Sequence, residues 1–327
     1  MTSSKKTIFV AGASGLVGSS IVRELSRFKN GQLLTPTSAE LDLTDQTKVK
    51  RFFEKERPTS VILAAARVGG IHANNTYPAD FLYENLMIET NVIHAAFRYG
   101  VEKLIFLGSS CVYPKEAIQP VPEEQLLSGH LESTNEPYAI AKIAGLKLCD
   151  SYFRQHGSNF YTLTPTNLYG PNDNFDAETS HVIPALIRKF HDAKERSVNK
   201  ITIWGSGRPR REFMHVDDLA AAVVFCLKNV DAAAIHALGI SHLNIGTGAD
   251  MTIMETAELI KTIVGFQGQI IADESMPDGT MQKLLDVTRI RSLGWRHRTE
   301  LASGLRSVYE WYLANEADDR ALRKAIG

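Results

Sequence analysis

The feature that most constrains the fold of this chain is a glycine-rich segment directly after a short apolar run. The run at 7–11, TIFVA, has the composition of a strand, and an amphipathic helical pattern begins at Leu16. Glycines there permit a tight turn and a close approach to a pyrophosphate, and the helix N-terminus attracts the anion. The sequence predicts a dinucleotide-binding turn of GxxGxxG spacing, formed by Gly12, Ala13, Ser14, Gly15, Leu16, Val17 and Gly18.

Short apolar runs alternate with helical patterns through the first half of the chain, which is typical of βαβ units. Strands are predicted at 7–11, 32–35, 60–64, 103–108 and 160–164, and helices start near Leu16, Asp45, Asp80 and Pro137. The predicted fold class is α/β, a Rossmann-type doubly wound parallel sheet with a smaller C-terminal α/β substrate domain. We assign 1–170 plus 214–245 to the NAD(P)-binding domain and 171–213 plus 246–327 to the substrate domain.

Composition narrows the classes of partner. Lysine and arginine (36) nearly cancel aspartate and glutamate (37), and no basic stripe indicates nucleic acid or a membrane surface. We therefore expect small-molecule partners or copies of the chain itself. The apolar start is too short for a signal segment, and three cysteines without framework spacing fit free thiols, so we expect a cytoplasmic protein. No Cys or His pairs stand at ligand spacing, so no metal is expected.

The segment after the second predicted strand leaves the choice of cofactor open. An acidic residue there would bind the ribose of NAD and an arginine would accommodate the 2′-phosphate of NADP, but the chain has Thr35, Pro36, Thr37 and Ser38. Asp42 follows as an acceptor for an adenine amino group. An Asx turn or a helix cap near Thr44 and Asp45 is nearly as good a reading of Asp42.

A tyrosine and a lysine four residues apart, Tyr138 and Lys142, lie in EPYAIAK with Pro137 at a favourable first-turn position. On a helix both side chains share a face. A tyrosine titrates near pH ~10, and a neighbouring cation would lower that pKa toward neutrality. The same spacing recurs at Tyr99 and Lys103, but there Gly100 ends a helix, so only the first pair has the helical context that catalysis needs.

The stretch GSSCVYPK follows the fourth predicted strand and places Ser109 and Cys111 at the carboxyl edge of the sheet, where such folds bind ligands. Cys111 could be a buried core thiol, as most free cysteines are. Its polar neighbours favour a thiol placed for chemistry.

The glycine loop, the serine cluster and the YxxxK helix together resemble the extended short-chain dehydrogenase/reductase family, through nearly the whole chain. Within it, several blocks look like the enzymes that epimerise C3 and C5 of GDP-4-keto-6-deoxy-D-mannose and then reduce C4 with NADPH. These blocks are AAARVGGIHANNTYPADFLYENL, LGSSCVYP, EPYAIAKIAG, PTNLYGPNDNF, SHVIPALI, WGSGRPRREFMHVDD and PDGTMQKLLDV.

The resemblance implies a role for each matching residue. Tyr138 would protonate the C4 oxygen, Lys142 would hold the nicotinamide ribose and lower the tyrosine pKa, and Ser109 would hydrogen-bond the same oxygen. Cys111 and His181 would be the epimerisation acid/base pair. The positions implied along the cofactor are Leu107, Gly108, Ser109, Ser110, Lys142, Pro165, Thr166, Asn167, Leu168 and His181. Those implied for substrate are Lys189, Trp204, Arg211 and Asp278.

Two departures bear on the ligands. Ser14 and Ser38 stand where bacterial members carry arginines, so NADP is expected while NAD stays open. Lys189 stands where the family has an arginine on the nucleotide, with Arg188 as its alternative. The resemblance also implies a homodimer through the helices at 80–99 and 137–152.

Other functions remain as alternatives. A nucleotide-sugar 4-epimerase or 4-ketoreductase would not need Cys111 with His181, and a 4,6-dehydratase would carry acids where this chain has Ser110, Cys111 and Val112. A noncatalytic dinucleotide-binding regulator would have no reason to keep Ser109, Tyr138 and Lys142 together.

Overall fold

The computed structural model describes residues 6–27, 31–176, 179–276 and 278–326, with side chains for all of these except 71, 72 and 316–326. Residues 1–5 and 327 of the predicted domains lie outside the described residues. The strands are β1 Thr7–Ala11, β2 Gln32–Leu34, β3 Ser60–Leu63, β4 Lys103–Leu107, β5 Phe160–Pro165, β6 Asn167–Tyr169, β7 Lys200–Trp204, β8 Arg210–His215, β9 His242–Ile245, β10 Asp250–Thr252, β11 Gln269–Asp273 and β12 Gln282–Lys283.

The helices are α1 Leu16–Ser26, α2 Gln46–Glu56, α3 Ile71–Thr76, α4 Pro78–Arg98, α5 Glu136–His156, α6 Val182–Glu195, α7 Val216–Asn229, α8 Ala232–Ala237, α9 Ile253–Val264, α10 Thr288–Ser292 and α11 Leu301–Ile326. Short 3₁₀ turns occupy Ser110–Val112, Glu123–Gln125 and Ser133–Asn135. Among the described residues, no helix has the length and apolarity required to cross a bilayer.

Six strands form one parallel sheet in the order β2-β1-β3-β4-β5-β9. The five strands predicted from the apolar runs are all present, within two residues at each end, which confirms the predicted α/β class. The sequence analysis did not predict β9, whose four residues HLNI pair with β5. This strand follows α7, the helix of HVDDLAAAVVFCLK, and the short helix α8.

Helices cover both faces of this sheet because its strands alternate their side chains between two cores. Val10 packs with apolar residues of α1 and α7 on one face, whereas Phe9 and Ala11 pack with residues of α2 and α4 on the other. The predicted doubly wound architecture is therefore confirmed.

A third apolar core lies outside the six-stranded sheet and unites α6, β7, α9 and α11 through residues such as Phe190 and Ile260. Here β11 pairs with β7, and β8 pairs with β6, β10 and β12. This core is consistent with a second unit in the C-terminal half. The predicted domain boundaries stay a prediction.

The glycine loop lies where the sheet changes direction. From β1 the chain crosses to β2 on one side, and β3 returns to the other side of β1. The loops after β1 and β3 therefore meet, and a Cβ on Gly12 would lie 2.7 Å from Cα of Ala65. Gly12 also has φ +84°, a conformation that side-chain-bearing residues rarely adopt. Doubly wound sheets bind their ligands in this crevice.

Candidate active site

The packing of the glycine loop leaves room for a pyrophosphate. A Cβ on Gly18 would lie 2.0 Å from the carbonyl oxygen of Gly12, so only glycine lets α1 pack this closely on the turn. By contrast, a Cβ on Gly15 would meet nothing closer than 3.7 Å, which leaves space at the helix start. Gly15 is the N-cap of α1, and the first amides of a helix have no intrahelical acceptor. The turn therefore offers free donors and room for an anion.

Ser109 and Cys111 follow β4, as predicted, at the carboxyl edge of the sheet. Ser109 is the N-cap of a 3₁₀ turn, and its Oγ accepts a hydrogen bond from the backbone N–H of Cys111 at 3.3 Å. This turn ends the strand and holds the two side chains beside each other. Both residues are half-buried.

Helix α5 brings Tyr138 and Lys142 to the same place. Lys142 is buried, and its Nζ donates to the carbonyl oxygen of Leu107 at 3.1 Å, at the end of β4. The Nζ also lies 5.8 Å from the centre of the Tyr138 ring. The predicted helical context of the pair, with Pro137 in its first turn, is confirmed.

A buried carboxylate that the sequence analysis missed accompanies this lysine. Glu89 of α4 is 0% exposed, and its Oε1 lies 3.0 Å from Lys142 Nζ. Burial raises the pKa of Glu89 to about 7, although the charge of Lys142 opposes the shift. Gly145 makes room for this carboxylate, because a Cβ there would lie 2.6 Å from Glu89 Oε2. In the sequence, this carboxylate is visible only as an acidic residue within the apolar pattern of α4.

The pKa of Tyr138 moves in the direction opposite to the expected one. Desolvation by the surrounding protein raises it, the charges of Cys111 and Glu89 raise it further, and a hydrogen bond with Ser109 opposes the shift. Glu89 offsets the lysine charge that was expected to lower this pKa. Tyr138 is therefore a neutral phenol at pH 7, the protonation state that a proton donor requires.

Two further side chains contact the thiol of Cys111. Asn135 Nδ2 donates to Sγ at 3.2 Å, and Lys283 Nζ lies 3.9 Å from the same atom. The sequence analysis missed both residues. Nothing in their local patterns could have shown these contacts, because Lys283 is 172 residues from Cys111 along the chain.

The segment Pro165–Leu168 ends β5 and begins β6, beside the end of β4. Thr166 Oγ1 and Asn167 Nδ2 both donate to the carbonyl oxygen of Glu212, at 3.2 and 2.9 Å. These side chains fix the backbone of the segment to β8. Its predicted contact with a cofactor stays a prediction.

His181 is the N-cap residue of α6. It makes no side-chain cap hydrogen bond. The residue is exposed, yet enough protein surrounds the ring that desolvation lowers its pKa. The loop before it packs on the segment after β3, where the N–H of Gly70 donates to the carbonyl oxygen of Thr179 at 3.0 Å. A weakly basic imidazole beside the crevice suits proton transfer near neutrality.

Trp204, Arg211 and Asp278 come together from distant parts of the chain. Asp278 accepts from the N–H and the hydroxyl of Ser206 at 2.6 and 2.8 Å, just after Trp204 at the end of β7. The Trp204 side chain is 65% exposed, although it is large and apolar. Burial lowers the pKa of Arg211, and the charges of Cys111, Glu132 and Asp278 oppose the shift. Arg211 therefore interacts with both the thiol and Asp278, and a cation in this position suits a phosphorylated ligand.

Lys189 and Arg188 point to different parts of the fold. Lys189 Nζ donates to the carbonyl oxygen of Thr202, two residues before Trp204. Arg188 donates instead to the carbonyl oxygen of Phe175 at 2.9 Å and lies 3.7 Å from Asp192. Lys189 is therefore the better placed of the two to reach a ligand beside Trp204.

The alternative reading of Asp42 is present in the structure. Asp42 Oδ1 accepts from the N–H and the hydroxyl of Thr44 at 2.9 and 2.7 Å, and these bonds lower the pKa of Asp42. Asp45 caps α2 through Thr47 and Lys48. The adenine contact stays a prediction. After β2, the N–H and hydroxyl of Thr37 donate to the Glu40 carboxylate at 2.7 and 2.9 Å.

The second YxxxK match is structural. Lys103 Nζ donates to the carbonyl oxygens of Leu227 and Val230 at 3.0 Å each and lies 2.8 Å from Asp231. Tyr99 follows the last residue of α4, and the Arg57 guanidinium lies 5.0 Å from the centre of its ring. The pair does not share a helix, as predicted.

Known proteins resemble this chain by family, by sequence and by structure. Residues 8–246 match the model of the NAD dependent epimerase/dehydratase family. The chain is 55% identical to GDP-L-fucose synthase 1 of Arabidopsis thaliana, over 96% of this chain and 95% of the relative. It is 53% identical to GDP-L-fucose synthase of Escherichia coli, over 96% and 98%. A solved GDP-L-fucose synthetase from Naegleria fowleri bound to NADP superposes with a TM-score of 0.84, at 27% identity over 95% of each chain.

Proposed function

Because this chain belongs to the NAD dependent epimerase/dehydratase family, we propose that it converts GDP-4-keto-6-deoxy-D-mannose to GDP-L-fucose. It is an enzyme that epimerises C3 and C5 and then reduces C4 with NADPH. The identity of more than half of its residues to GDP-L-fucose synthases, over nearly their full length, supports this function. The observation that carries it is the junction after β4, where one short turn holds both Ser109, beside the reductive tyrosine, and Cys111, which a simple reductase would not need.

The cofactor is NADP, held by the turn 12–18 and by Lys142. When bound, it supplies the hydride for C4. The relative crystallised with NADP supports this cofactor. The hydrogen bond from Lys142 Nζ to the carbonyl oxygen of Leu107 fixes the lysine at the end of β4. This position suits a contact with a ribose hydroxyl. Asp42 and the residues at 107–110 and 165–168 complete the proposed site.

For epimerisation we assign Cys111 as base and His181 as acid on opposite faces of the sugar ring. The 4-keto group acidifies the hydrogens on C3 and C5, because the electron pair left behind is delocalised as an enolate. The thiolate takes the proton from carbon, and the imidazolium returns one to the other face. Both groups titrate ordinarily within ~2 units of neutrality, which suits general acid and base catalysis.

For reduction, Tyr138 donates its proton to the C4 oxygen as the carbonyl becomes an alcohol. Ser109 hydrogen-bonds the same oxygen and orients it. The raised pKa of Tyr138 keeps the phenol protonated until that oxygen gains negative charge. Trp204, Arg211, Asp278 and Lys189 are proposed to bind the GDP portion of the substrate.

The enzyme is proposed to act as a homodimer in the cytoplasm. Tyr83 of α4 and Ile140 of α5 are large apolar side chains that are 63% and 42% exposed, which supports contact between copies along these helices. The three cysteines are free thiols, which supports a reducing compartment. Sedimentation at micromolar concentration should give twice the chain mass of 36.2 kDa.

The function is tested by mixing purified protein with GDP-4-keto-6-deoxy-D-mannose and NADPH, then identifying the sugar product. We expect oxidation of NADPH and formation of GDP-L-fucose. A product reduced at C4 but unchanged at C3 and C5 would instead identify a simple 4-ketoreductase. No loss of nicotinamide absorbance with NADPH or NADH would exclude the reductase.

Glu89→Gln is expected to slow reduction about tenfold at pH 8 while leaving exchange of the C3 and C5 hydrogens intact. The carboxylate is the ion-pair partner of the buried Lys142 ammonium, so its loss leaves that charge unbalanced in a desolvated space. In the wild-type enzyme the pKa of Glu89 is raised to about 7, so the rate of reduction should change as this carboxyl titrates, and Glu89→Gln should lose that part of the pH profile. The measurement is kcat for NADPH oxidation between pH 6 and 9.

A suitable control for this variant is Glu84→Gln, which removes a carboxylate of the same helix that pairs with Arg67 at the edge of the site. The control should keep the wild-type pH profile. An unchanged profile in Glu89→Gln would show that Lys142 does not depend on this carboxylate.

A further inference from the structure

We propose that Lys283 and Asn135 are further catalytic residues of the epimerisation: together they stabilise the thiolate form of Cys111 through a cation and an N–H donor on Sγ. The inference rests on the function proposed above, because it concerns the same thiol. The proposal gives a role to two residues from different parts of the fold, Asn135 at the start of α5 and Lys283 on β12.

Asn135 is placed to cap a helix but does not cap it. It is the N-cap of α5, a position where asparagine commonly accepts from the backbone N–H groups of the first turn. Its side chain makes no such bond, and Nδ2 donates to Cys111 Sγ at 3.2 Å instead. Its Oδ1 is buried and has no hydrogen-bond partner among the described residues. The one hydrogen bond that the amide side chain makes among the described residues is therefore the bond to the thiol.

Lys283 reaches the thiol from the second sheet. It lies on β12 and pairs in register with Arg211 of β8. Its Nζ is 3.9 Å from Cys111 Sγ, and it forms no ion pair with a carboxylate of the described residues. A half-buried ammonium without a carboxylate partner, facing a thiol, favours the ionised form of that thiol.

The other charged groups around the thiol include cations, which stabilise the thiolate, and carboxylates, which destabilise it. Arg211 adds a second positive charge, and its interaction with Cys111 opposes the lowering of its own pKa. The carboxylates of Glu132 and Asp278 interact with Arg211, and Glu132 also pairs with Lys115 at 3.2 Å. On the α5 side, Tyr138 is neutral. The balance around Sγ is therefore positive.

This balance matters because the thiolate is the base. A cysteine of ordinary pKa, ~8.5, is only a few per cent ionised at pH 7. A cation and a donor on Sγ stabilise the negative charge that the sulfur carries before it takes the proton. During epimerisation the carbon-bound proton then passes to Sγ and the electron pair remains on the substrate as the enolate, so no oxidant or reductant is involved.

The test measures the ionisation of the thiol directly, by the rate of alkylation with iodoacetamide between pH 5 and 10, followed by intact mass. Cys149 and Cys226 are both 0% exposed, so the first adduct reports Cys111, and Cys111→Ala should acquire none at that rate. In Lys283→Met the midpoint pH of alkylation should rise by about one unit, which means about tenfold less thiolate at pH 7. Asn135→Ser should raise the midpoint in the same direction, and serine is a residue type that suits the N-cap position of α5.

Two controls separate this role from a general effect on folding. Lys283→Arg keeps the charge and should keep the midpoint near the wild-type value, whereas Lys261→Met removes a lysine of α9 that pairs with Glu258 at 3.4 Å and should change nothing. Exchange of the C3 and C5 hydrogens in D₂O, measured without NADPH, should fall about tenfold in Lys283→Met at pH 7. Midpoints equal to wild type in both Lys283→Met and Asn135→Ser would overturn the proposal. Absence of exchange in the wild-type protein would instead overturn the proposed function, whatever the alkylation shows.

Discussion

Replacement of Cys111 by alanine is expected to abolish uptake of solvent deuterium at C3 and C5 of GDP-4-keto-6-deoxy-D-mannose, with a loss of about 10²–10⁴-fold. The thiol is the base that removes these hydrogens, and water in the vacated space would be a far weaker base. Formation of GDP-L-fucose should fall by the same factor, since reduction follows epimerisation. The measurement is exchange in D₂O without NADPH, followed by mass spectrometry of the sugar.

The chain offers a matched control for this variant in Cys149→Ala. Cys149 is a fully buried thiol on α5, and burial raises its pKa beyond the range in which a thiol can act as a base at pH 7. Its replacement should lower the unfolding temperature but leave exchange per folded molecule unchanged. Exchange at the normal rate in Cys111→Ala would show that the thiol after β4 is structural.

Tyr138→Phe is expected to block reduction by a similar factor, about 10²–10⁴-fold, while exchange at C3 and C5 continues. The variant removes only the hydroxyl that protonates the C4 oxygen. Its ring should keep the edge contact with Phe81, whose ring centre lies 6.4 Å away, so the fold of this region should survive. NADPH oxidation and deuterium uptake, measured on the same preparation, separate the two half-reactions.

Tyr99→Phe is the corresponding control, because it alters the tyrosine of the other YxxxK match, whose lysine binds backbone carbonyls between β4 and α7. It should leave both rates unchanged. If Tyr138→Phe also stops exchange, the tyrosine takes part in epimerisation and the separation of roles proposed here is wrong. The electrostatic interaction between Cys111 and Tyr138 makes a small change in the exchange rate compatible with the proposal.

The local patterns predicted the first five strands of the parallel sheet and the starts of four helices within two residues. These predictions depend on periodicity, capping residues and glycine, which act over a few residues along the chain. For the same reason, the sequence predicted that three features lie at one edge of the sheet. These are the glycine loop, the turn after β4 and the helix of Tyr138. The alternation of Phe9 and Val10 between two cores follows directly from the period of a strand.

Electrostatics is where reasoning from the sequence went wrong. Lys142 was expected to lower the pKa of Tyr138, but α4 supplies Glu89 as its partner, and burial with two negative charges raises that pKa instead. The effect depends on which charges share a desolvated space. Lys142 and Glu89 are 53 residues apart along the chain but adjacent in this buried space, and no local sequence pattern shows this contact.

By itself, the sequence therefore determined the first five strands of the sheet, the glycine turn between β1 and α1 and the two side chains on one face of α5, because short-range geometry fixes each of them. Only the tertiary structure decided the surroundings of the reacting groups. It gave Lys142 a buried anion from α4, and it gave Cys111 an amide from the start of α5 and an ammonium from β12. The physical reason is that ionisation responds to distance and desolvation in space, and these are set only when helices and strands from distant parts of the chain pack together.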